Sequence, residues 1–368
     1  MSQADEFWMS KCLNLAKRGA GFVSPNPLVG AVIVRNGKKI SEGYHEQYGG
    51  PHAEVNAINQ AVAKKKSLAG ATLYVNLEPC FHFGKTPPCV DAVLKHGISR
   101  VVIATKDPNP LVAGKSIQKL KKNGVTCSVG ILKDEATHLN EKFFSFIKKN
   151  IPFIALKAAQ TKDGFIAKPD GKSKWITNTQ SRKYVHQLRN EYDAVLVGAN
   201  TVLRDNPELT VRAIKGRNPI RVIVDGKLSV SSTANVLNSK ALTIVYTSKK
   251  KSSVFRKKIK TIENKGIVVV QMDTKDGSIN VKDIINDLGK RQIASILVEG
   301  GQQIYSSFLN AGVVDKIYLF TAKKKFGNGL KTFANNSKRI TVVKYSQKKF
   351  GTDVLEELYV KRSIQRLV

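Results

Sequence analysis

His52, Glu54, Cys80 and Cys89 stand in the stretches HAE and PCFHFGKTPPC, and their types and order suffice to hold a zinc ion and activate water. Such a centre takes one imidazole and two thiolates on the metal and leaves a fourth position for water, while a free carboxylate beside it carries protons. The chemistry is hydrolytic attack on an aromatic carbon. His52 is expected in the first turn of a helix and Cys89 at the start of another, where the helix dipole favours thiolate and hydroxide. Glu54, two residues on, points away from the face that His52 occupies and is placed as the proton carrier rather than a ligand.

The loop between the cysteines separates deaminase types. Enzymes acting on nucleosides and nucleic acids carry a short P-C-x-x-C spacing, with both thiols opening one helix. Here FHFGKTPP stands between Cys80 and Cys89. Thr86 is expected to cap the second helix and Pro87 and Pro88 to begin it, so that Cys89 still reaches the metal while the extra residues form a flap. Cys12 and Cys127 read as small packed hydrophobes. His45, His96, His138 and His186 lie outside ligand spacing and read as surface or capping residues, while His82, on the flap, reads either as a substrate contact or as a plain loop residue.

The elements that must position these groups follow from the hydrophobic pattern. A chain of 368 residues exceeds the usual single-domain size, and two domains are expected. LVGAVIV reads as a strand, followed by a turn at Asn36 and Gly37, a helix opening at Pro51 and His52, and the strand TLYVNLEPC, which carries Cys80 at its end. A helix from near Pro88, the strand VVIAT and the helix VAGKSIQKLKKNG complete an α/β pattern. LNEKFFSFIKKN reads as an amphipathic helix ending at Asn150, which puts a boundary near 147–152 and domains over 1–147 and 148–368. The second half alternates again: a helix over 178–190, the strands DAVLVGA, PIRVIVDG, ALTIVYT, GIVVVQ and SILVEGG, a helix over 302–310 and the strand KIYLFTA.

Composition narrows the class. No apolar stretch approaches the roughly 20 residues of a membrane span, and the N-terminus lacks the apolar core of a signal peptide, so a cytoplasmic enzyme is expected without membrane partners. Four cysteines are too few and too scattered for a disulfide scaffold. The net charge of +33 raises nucleic-acid binding, including base editing by the same zinc chemistry. Against it, the lysines are spread in short runs (Lys64 to Lys66, Lys249 to Lys251, Lys323 to Lys325) without interleaved aromatics. A solvated basic surface that attracts a phosphorylated small substrate is the reading preferred.

The second half carries no G-x-G-x-x-G after an early strand, which leaves a doubly wound dinucleotide fold unsupported. Gly300 and Gly301 instead end SILVEGG and lead into a helix. That arrangement either presents free N–H groups to a phosphate or is ordinary turn chemistry.

Taken together, SPNPLVGAVIV, GGPHAEVNAI, LEPCFHFGKTPPC, DPNPLVAGK, KWIT, VGANTVLRDNPELTVR and VEGG closely resemble the bifunctional riboflavin-biosynthesis deaminase/reductase family, over roughly residues 5 to 325. The resemblance implies a cytidine-deaminase-like three-layer α/β domain followed by a dihydrofolate-reductase-like domain. It implies Zn2+ and NADPH as cofactors, a small phosphorylated pyrimidine as substrate, and a homo-oligomer. By motif, His52, Cys80 and Cys89 become the zinc ligands, Glu54 the general acid/base and Asn26 the residue that holds the pyrimidine. Ala159, Trp175, Thr201, Asp205 and the segment after Glu299, including Gly301, are implied to contact NADPH. Ser173, Arg189, Leu209, Arg212 and Glu299 are implied to face substrate, where a guanidinium fork suits a phosphate. Trp175 otherwise reads as a core aromatic, and Lys157, Asp205 and Glu299 are the polar groups to weigh for the reductive step. Where the family commonly has Ser after the first cysteine this chain has Phe81, which puts a loop hydrogen bond in doubt.

Overall fold

A computed structural model describes residues 2–362 apart from 82, 84–86, 111, 172–174, 251, 276–277 and 335–339. His82, Thr86 and Ser173 therefore lie outside the described residues. The chain forms two compact units, Met1–Lys148 and Lys149–Val368.

The first unit begins with a helix that the sequence pattern had not marked, α1 (Gln3–Ala16), started by the Ser2 side chain, which accepts from the Asp5 N–H. Next come β1 (Gly30–Arg35), β2 (Lys38–Tyr44), α2 (Ala53–Ala63), β3 (Thr72–Leu77), α3 (Cys89–Lys95), β4 (Arg100–Thr105), α4 (Lys115–Lys122), β5 (Thr126–Val129), α5 (Lys133–Leu139) and α6 (Glu141–Lys149). The strands lie in the order β2-β1-β3-β4-β5, with β3, β4 and β5 parallel and β1 antiparallel to both neighbours.

Period-2 alternation gives this sheet two apolar faces. Ala31, Ile33, Leu73, Val75, Val101 and Ile103 pack against Ala57 and Ile58 of α2, Val90 and Val93 of α3 and Leu120 of α4. Val32, Val34, Tyr74, Val102 and Ala104 pack on the other face against Met9, Cys12 and Leu13 of α1 and Ala136 of α5. The result is a three-layer sandwich. Cys12 is fully buried in it, as a packed thiol donating to the Tyr74 carbonyl. The stretch read as a helix over 139–150 holds α6, and the unread α5 precedes it, the two parted at Asn140, whose side chain reaches back to Leu28.

The second unit is built on β6 (Phe153–Thr161), β7 (Phe165–Ala167), α7 (Thr179–Glu191), β8 (Ala194–Gly198), α8 (Ala199–Asp205), β9 (Ile220–Val224), β10 (Thr243–Ser248), α9 (Ser253–Glu263) and β11 (Val268–Met272). After the short pair β12 (Thr274–Lys275) and β13 (Ser278–Ile279) follow α10 (Val281–Lys290), β14 (Ser295–Val298), α11 (Gln302–Asn310), β15 (Lys316–Ala322), β16 (Leu330–Lys331), β17 (Val342–Phe350) and β18 (Asp353–Val360). Nine strands form one sheet in the order β11-β10-β9-β8-β14-β6-β15-β18-β17, parallel as far as β15 and closed by an antiparallel hairpin. The hairpin and α8 to α10 had no counterpart in the sequence reading. Ile154, Leu156, Leu196, Val222, Ile296 and Ile317 face Ile284, Leu288, Phe308 and Leu309 of α10 and α11, which covers one side. α9 and α7 cover two separate patches of the other. Among the described residues no helix is long and apolar enough to cross a membrane.

The tightest contact in the first unit is a glycine. A Cβ on Gly30 would lie 2.2 Å from the Cys12 carbonyl oxygen and 2.8 Å from the Ala16 nitrogen, so α1 sits on β1 only because that side chain is missing. Gly30→Ala is expected to cost about 2–4 kcal/mol, as overpacking against rigid backbone does. A denaturant titration should show the early loss confined to one of two transitions.

Candidate active sites

In the first unit, three elements bring the expected metal-binding residues together. His52 is the N-cap of α2, Cys89 is the first residue of α3, and Cys80 lies three residues past the end of β3. The His52 Nδ1 is 3.2 Å from Cys89 Sγ and 3.5 Å from Cys80 Sγ, and all three ligating atoms lie within 4.8 Å of one another. Zinc bond lengths place tetrahedral N and S ligands about 3.5–3.8 Å apart, so this spacing fits the ion. Pro88 occupies the N-cap of α3, with no side-chain cap. The Cys89 N–H donates to Cys80 Sγ at 3.1 Å, and this bond ties the loop to the helix start.

The loop is also held from behind by a residue that sequence reading missed. Glu78 is buried, and its carboxylate accepts from the Gly114 N–H at 2.9 Å and the Ile117 N–H at 3.5 Å, at the start of α4. Ser116 donates to the Pro79 carbonyl at 2.5 Å. Phe81, in place of the family's serine, packs against the α2/α3 side of the core with the Lys119 ammonium 5.6 Å from its ring centre.

Electrostatics separates the four groups. The Cys89 thiol, donating to Cys80, draws the Cys80 thiol down to about 4, against burial and with further help from His52 and the Cys89 N–H. Cys89 is pushed up, because it holds the shared proton and is buried. His52 is raised by its bond to Cys80 in spite of burial. Glu54 is almost wholly buried, and burial raises it to about 7 although His52 opposes the shift.

His45 is not a surface residue, contrary to its sequence reading. It is buried, with its ring 5.3 Å from that of His52. Its Nδ1 is 3.0 Å from the Pro51 carbonyl and its Nε2 is 3.2 Å from Asn26 Nδ2. A carbonyl can only accept, so the proton sits on Nδ1 and Nε2 accepts from the Asn26 amide. Burial holds His45 below the ordinary imidazole range, which keeps it in this neutral form. Asn26 therefore turns its carbonyl oxygen away from His45, available to an N–H donor. The SPNP motif carried no sign of this, because the partner lies on a different element.

In the second unit, a cavity of about 1720 Å³ opens at the carboxyl ends of β6, β8, β9 and β14. The strand order reverses at β8 and β14, the usual place for a ligand crevice in a parallel sheet. Ala159, Trp175, Thr201, Asp205, Arg189, Leu209, Arg212, Glu299 and Gly301 all line it. Two helix starts open there, α8 behind Gly198 and α11 behind Gly301, neither capped by a side chain. A Cβ on Gly300 would lie 2.7 Å from Ile304, whereas one on Gly301 would meet nothing within 4 Å. The first glycine lets helix and strand pack; the second leaves backbone open to a ligand.

Three expectations change at this site. Trp175 is 65% exposed and is not a core aromatic. His186, read as a surface or capping residue, lines the cavity, and its Nδ1 accepts from the Arg212 N–H at 3.3 Å. Arg189 does not hold its fork open for a phosphate. Its Nε and Nη2 donate to the two oxygens of Glu299 at 2.6 and 2.9 Å, and Nη1 donates to the Thr210 carbonyl. Burial would raise the Glu299 carboxyl, but Arg189 and Lys157, whose ammonium is 3.8 Å away, outweigh it and hold the group down at about 2. Arg212 is half-exposed at the rim, anchored on Thr210 and Glu208. Leu209 adopts φ 55, and its side chain is buried in the core with Val195 and Ile223.

A His/Cys/Cys group spaced for a zinc ion beside a buried carboxylate, on a three-layer α/β unit, and a large crevice at the switch point of a parallel sheet define a zinc deaminase joined to a pyrimidine reductase. Residues 2–105 match the zinc-binding region of cytidine and deoxycytidylate deaminases, and residues 152–355 match the RibD C-terminal domain. The riboflavin biosynthesis protein RibD of Aquifex aeolicus is 47% identical over 330 residues, 89% of each chain, and that of Escherichia coli K12 is 37% identical over 88% of this chain and 89% of its own. A crystal structure of a diaminohydroxyphosphoribosylaminopyrimidine deaminase/5-amino-6-(5-phosphoribosylamino)uracil reductase from Thermotoga maritima superimposes with a TM-score of 0.87 at 41% identity, covering 97% of this chain and 99% of that one. The chain belongs to the RibD family, the bifunctional deaminase/reductases of riboflavin biosynthesis, with a cytidine-deaminase-like and a dihydrofolate-reductase-like domain.

The Glu299 cluster makes a prediction about stability. Its folded carboxyl titrates near 2 against an ordinary 4.5, so its contribution is complete above pH 4.5 and is lost as the pH falls from there toward 2. Glu299→Gln is expected to cost about 3–5 kcal/mol at pH 7 by leaving Arg189 and Lys157 buried without a counter-charge. Urea titrations at pH 7 and pH 4 should show a smaller loss on acidification in the variant than in the parent.

Proposed function

We propose that residues 1–147 deaminate the diaminopyrimidine ribosylamine phosphate and that residues 148–368 then reduce the ribosyl group of 5-amino-6-(5-phosphoribosylamino)uracil. The observation that carries the first half is the meeting of His52, Cys80 and Cys89 with a buried Glu54 beside them. His52, Cys80 and Cys89 hold the zinc, and Glu54 acts as general acid/base.

Zinc supplies the Lewis acidity that lets water ionise near neutral pH. Water adds to the ring carbon bearing the exocyclic amine, the carbon–nitrogen bond breaks, and ammonia leaves. Two proton transfers accompany this, one to a ring nitrogen and one to the departing amine. Glu54 at about 7 can take up and release a proton within each cycle. Asn26, oriented by His45, offers its carbonyl oxygen to an N–H of the pyrimidine.

In the second step NADPH supplies a hydride. The sugar opens, its former anomeric carbon gains the hydride, and the ring oxygen gains a proton to become a hydroxyl. Glu299, ionised down to about 2, has no proton to give. Burial moves Lys157 below the ordinary lysine range, partly offset by Glu299, which makes its ammonium the readier donor. The open backbone at Gly301 and the start of α11 receives the cofactor phosphates, with Ala159, Trp175, Thr201 and Asp205 along its length. Arg212 at the rim meets the substrate phosphate, while Arg189, Leu209 and Glu299 shape the sugar subsite, a group to which the resemblance adds Ser173. The cavity of about 1720 Å³ exceeds a typical single-ligand pocket of about 300–1,000 Å³, which suits a dinucleotide and a second ligand together. The reduced thiols needed at the metal site fit a cytoplasmic enzyme.

The test is sequential. With the diaminopyrimidine phosphate and NADPH, ammonia should appear before NADPH is consumed. Glu54→Gln should lower ammonia release about 10²- to 10⁴-fold and leave NADPH oxidation intact when the deaminated compound is supplied. A zinc-loaded, folded sample that releases no ammonia would exclude the deaminase assignment.

A further inference from the structure

Trp175 poses a physical problem: a large aromatic side chain, 65% exposed, lines the reductase cavity where the hydrophobic effect would ordinarily bury it. What holds it is a neighbour that has no role in the reading above. The Arg182 guanidinium lies over the indole with its centre 4.7 Å from the ring centroid. That guanidinium is itself fixed, Nη1 donating to the Thr177 carbonyl and Nη2 to Thr179 Oγ1 at 3.0 Å.

The base under Arg182 is rigid as well. It sits in the first turn of α7, whose N-cap Asn178 accepts from the Ser181 N–H, donates from its side chain to the Phe350 carbonyl, and gives its own N–H to Asp353. Asp353 also accepts from Ser181 Oγ. From the other side the Lys324 ammonium donates to the Trp175 carbonyl. The indole is thus fastened at its backbone and on one face.

We infer that Arg182 is a positioning residue for the dinucleotide: it clamps one face of Trp175 so that the other stacks against a heteroaromatic ring of NADPH. The inference rests on the reductase reading above. A planar cation with two in-plane hydrogen bonds makes a flat tile, and an indole resting on it loses its rotamer freedom before the ligand arrives. Stacking then costs less ordering. Loss of the clamp therefore weakens cofactor binding more than it slows the chemistry.

The experiment uses the full chain with Trp8→Phe, which leaves Trp175 as the single fluorophore of the two tryptophans. NADPH should quench its emission. In the ligand-free protein, Arg182→Leu should lower the emission anisotropy and raise quenching by iodide. The same variant should raise the Kd and KM for NADPH about 3- to 10-fold, as loss of one cation–π contact implies, with a smaller change in kcat. Arg182→Lys, which keeps the charge without the flat fork, should fall between. Anisotropy and NADPH affinity that stay unchanged in Arg182→Leu would overturn the clamp. An indole that NADPH does not quench, in an enzyme that still oxidises NADPH, would overturn the stacking. A Trp8→Phe protein that oxidises no NADPH with the deaminated substrate would instead remove the reductase reading beneath both.

Discussion

A carboxylate taken out of water must either be matched by positive charge or carry a proton, and each unit of this protein buries one such group at its candidate site. Glu299 is matched. Arg189 grips it with two hydrogen bonds and Lys157 stands 3.8 Å away, so it stays charged and acts as a fixed negative post in the crevice. At Glu54, His52 opposes the shift but burial outweighs it and lifts the carboxyl to about 7. One carboxylate stays charged and organises cations; the other is held near the point where it carries a proton at neutral pH.

The scaffold serves these two environments by the same device. Parallel strands end together, and the chain leaves each end through a short turn into a helix start, where N–H groups lack intrahelical partners. In the first unit those starts carry His52 and Cys89, with Cys80 on the loop that leaves β3. In the second they are Gly198 and Gly301, which bring backbone rather than side chain to the cavity. Glu78 behind the cysteine loop and Asp353 beneath α7 are supporting residues of one kind: buried carboxylates that accept N–H groups and so fix where a loop or helix begins.

The net charge of +33 needs no polynucleotide partner on this view. Arg182, Arg189, Arg204 and Arg212 all line the reductase cavity, opposed there by Asp205, Glu208, Asp225 and Glu299. Substrate and cofactor are both phosphorylated anions, and a basic surface steers such ligands toward a crevice without specifying them.

The order and spacing of His52, Glu54, Cys80 and Cys89, the alternating strands and the glycines after β14 were legible in the chain alone, because metal ligation and sheet burial demand particular residue types at short separations. α1, the C-terminal hairpin and α8 to α10 were not, since their patterns are weak and their stability comes from the sheet they cover. His45 could not be read at all. The Asn36-Gly37 turn marks the β1–β2 hairpin that leads to it, but its place beside His52 and Asn26 comes from contacts with the Pro51 carbonyl and the Asn26 amide that the turn does not encode. Arg189 shows the same limit in the other direction: a guanidinium suited to phosphate was visible, but only the packing of α7 against the end of β14 brings Glu299 within 2.6 Å and turns it into a counter-ion. Sequence determines which groups are present and how neighbours along the chain are spaced; the partners of Asn26 and Arg189 arrive from 19 and 110 residues away, and those pairings exist only once the sheet has formed.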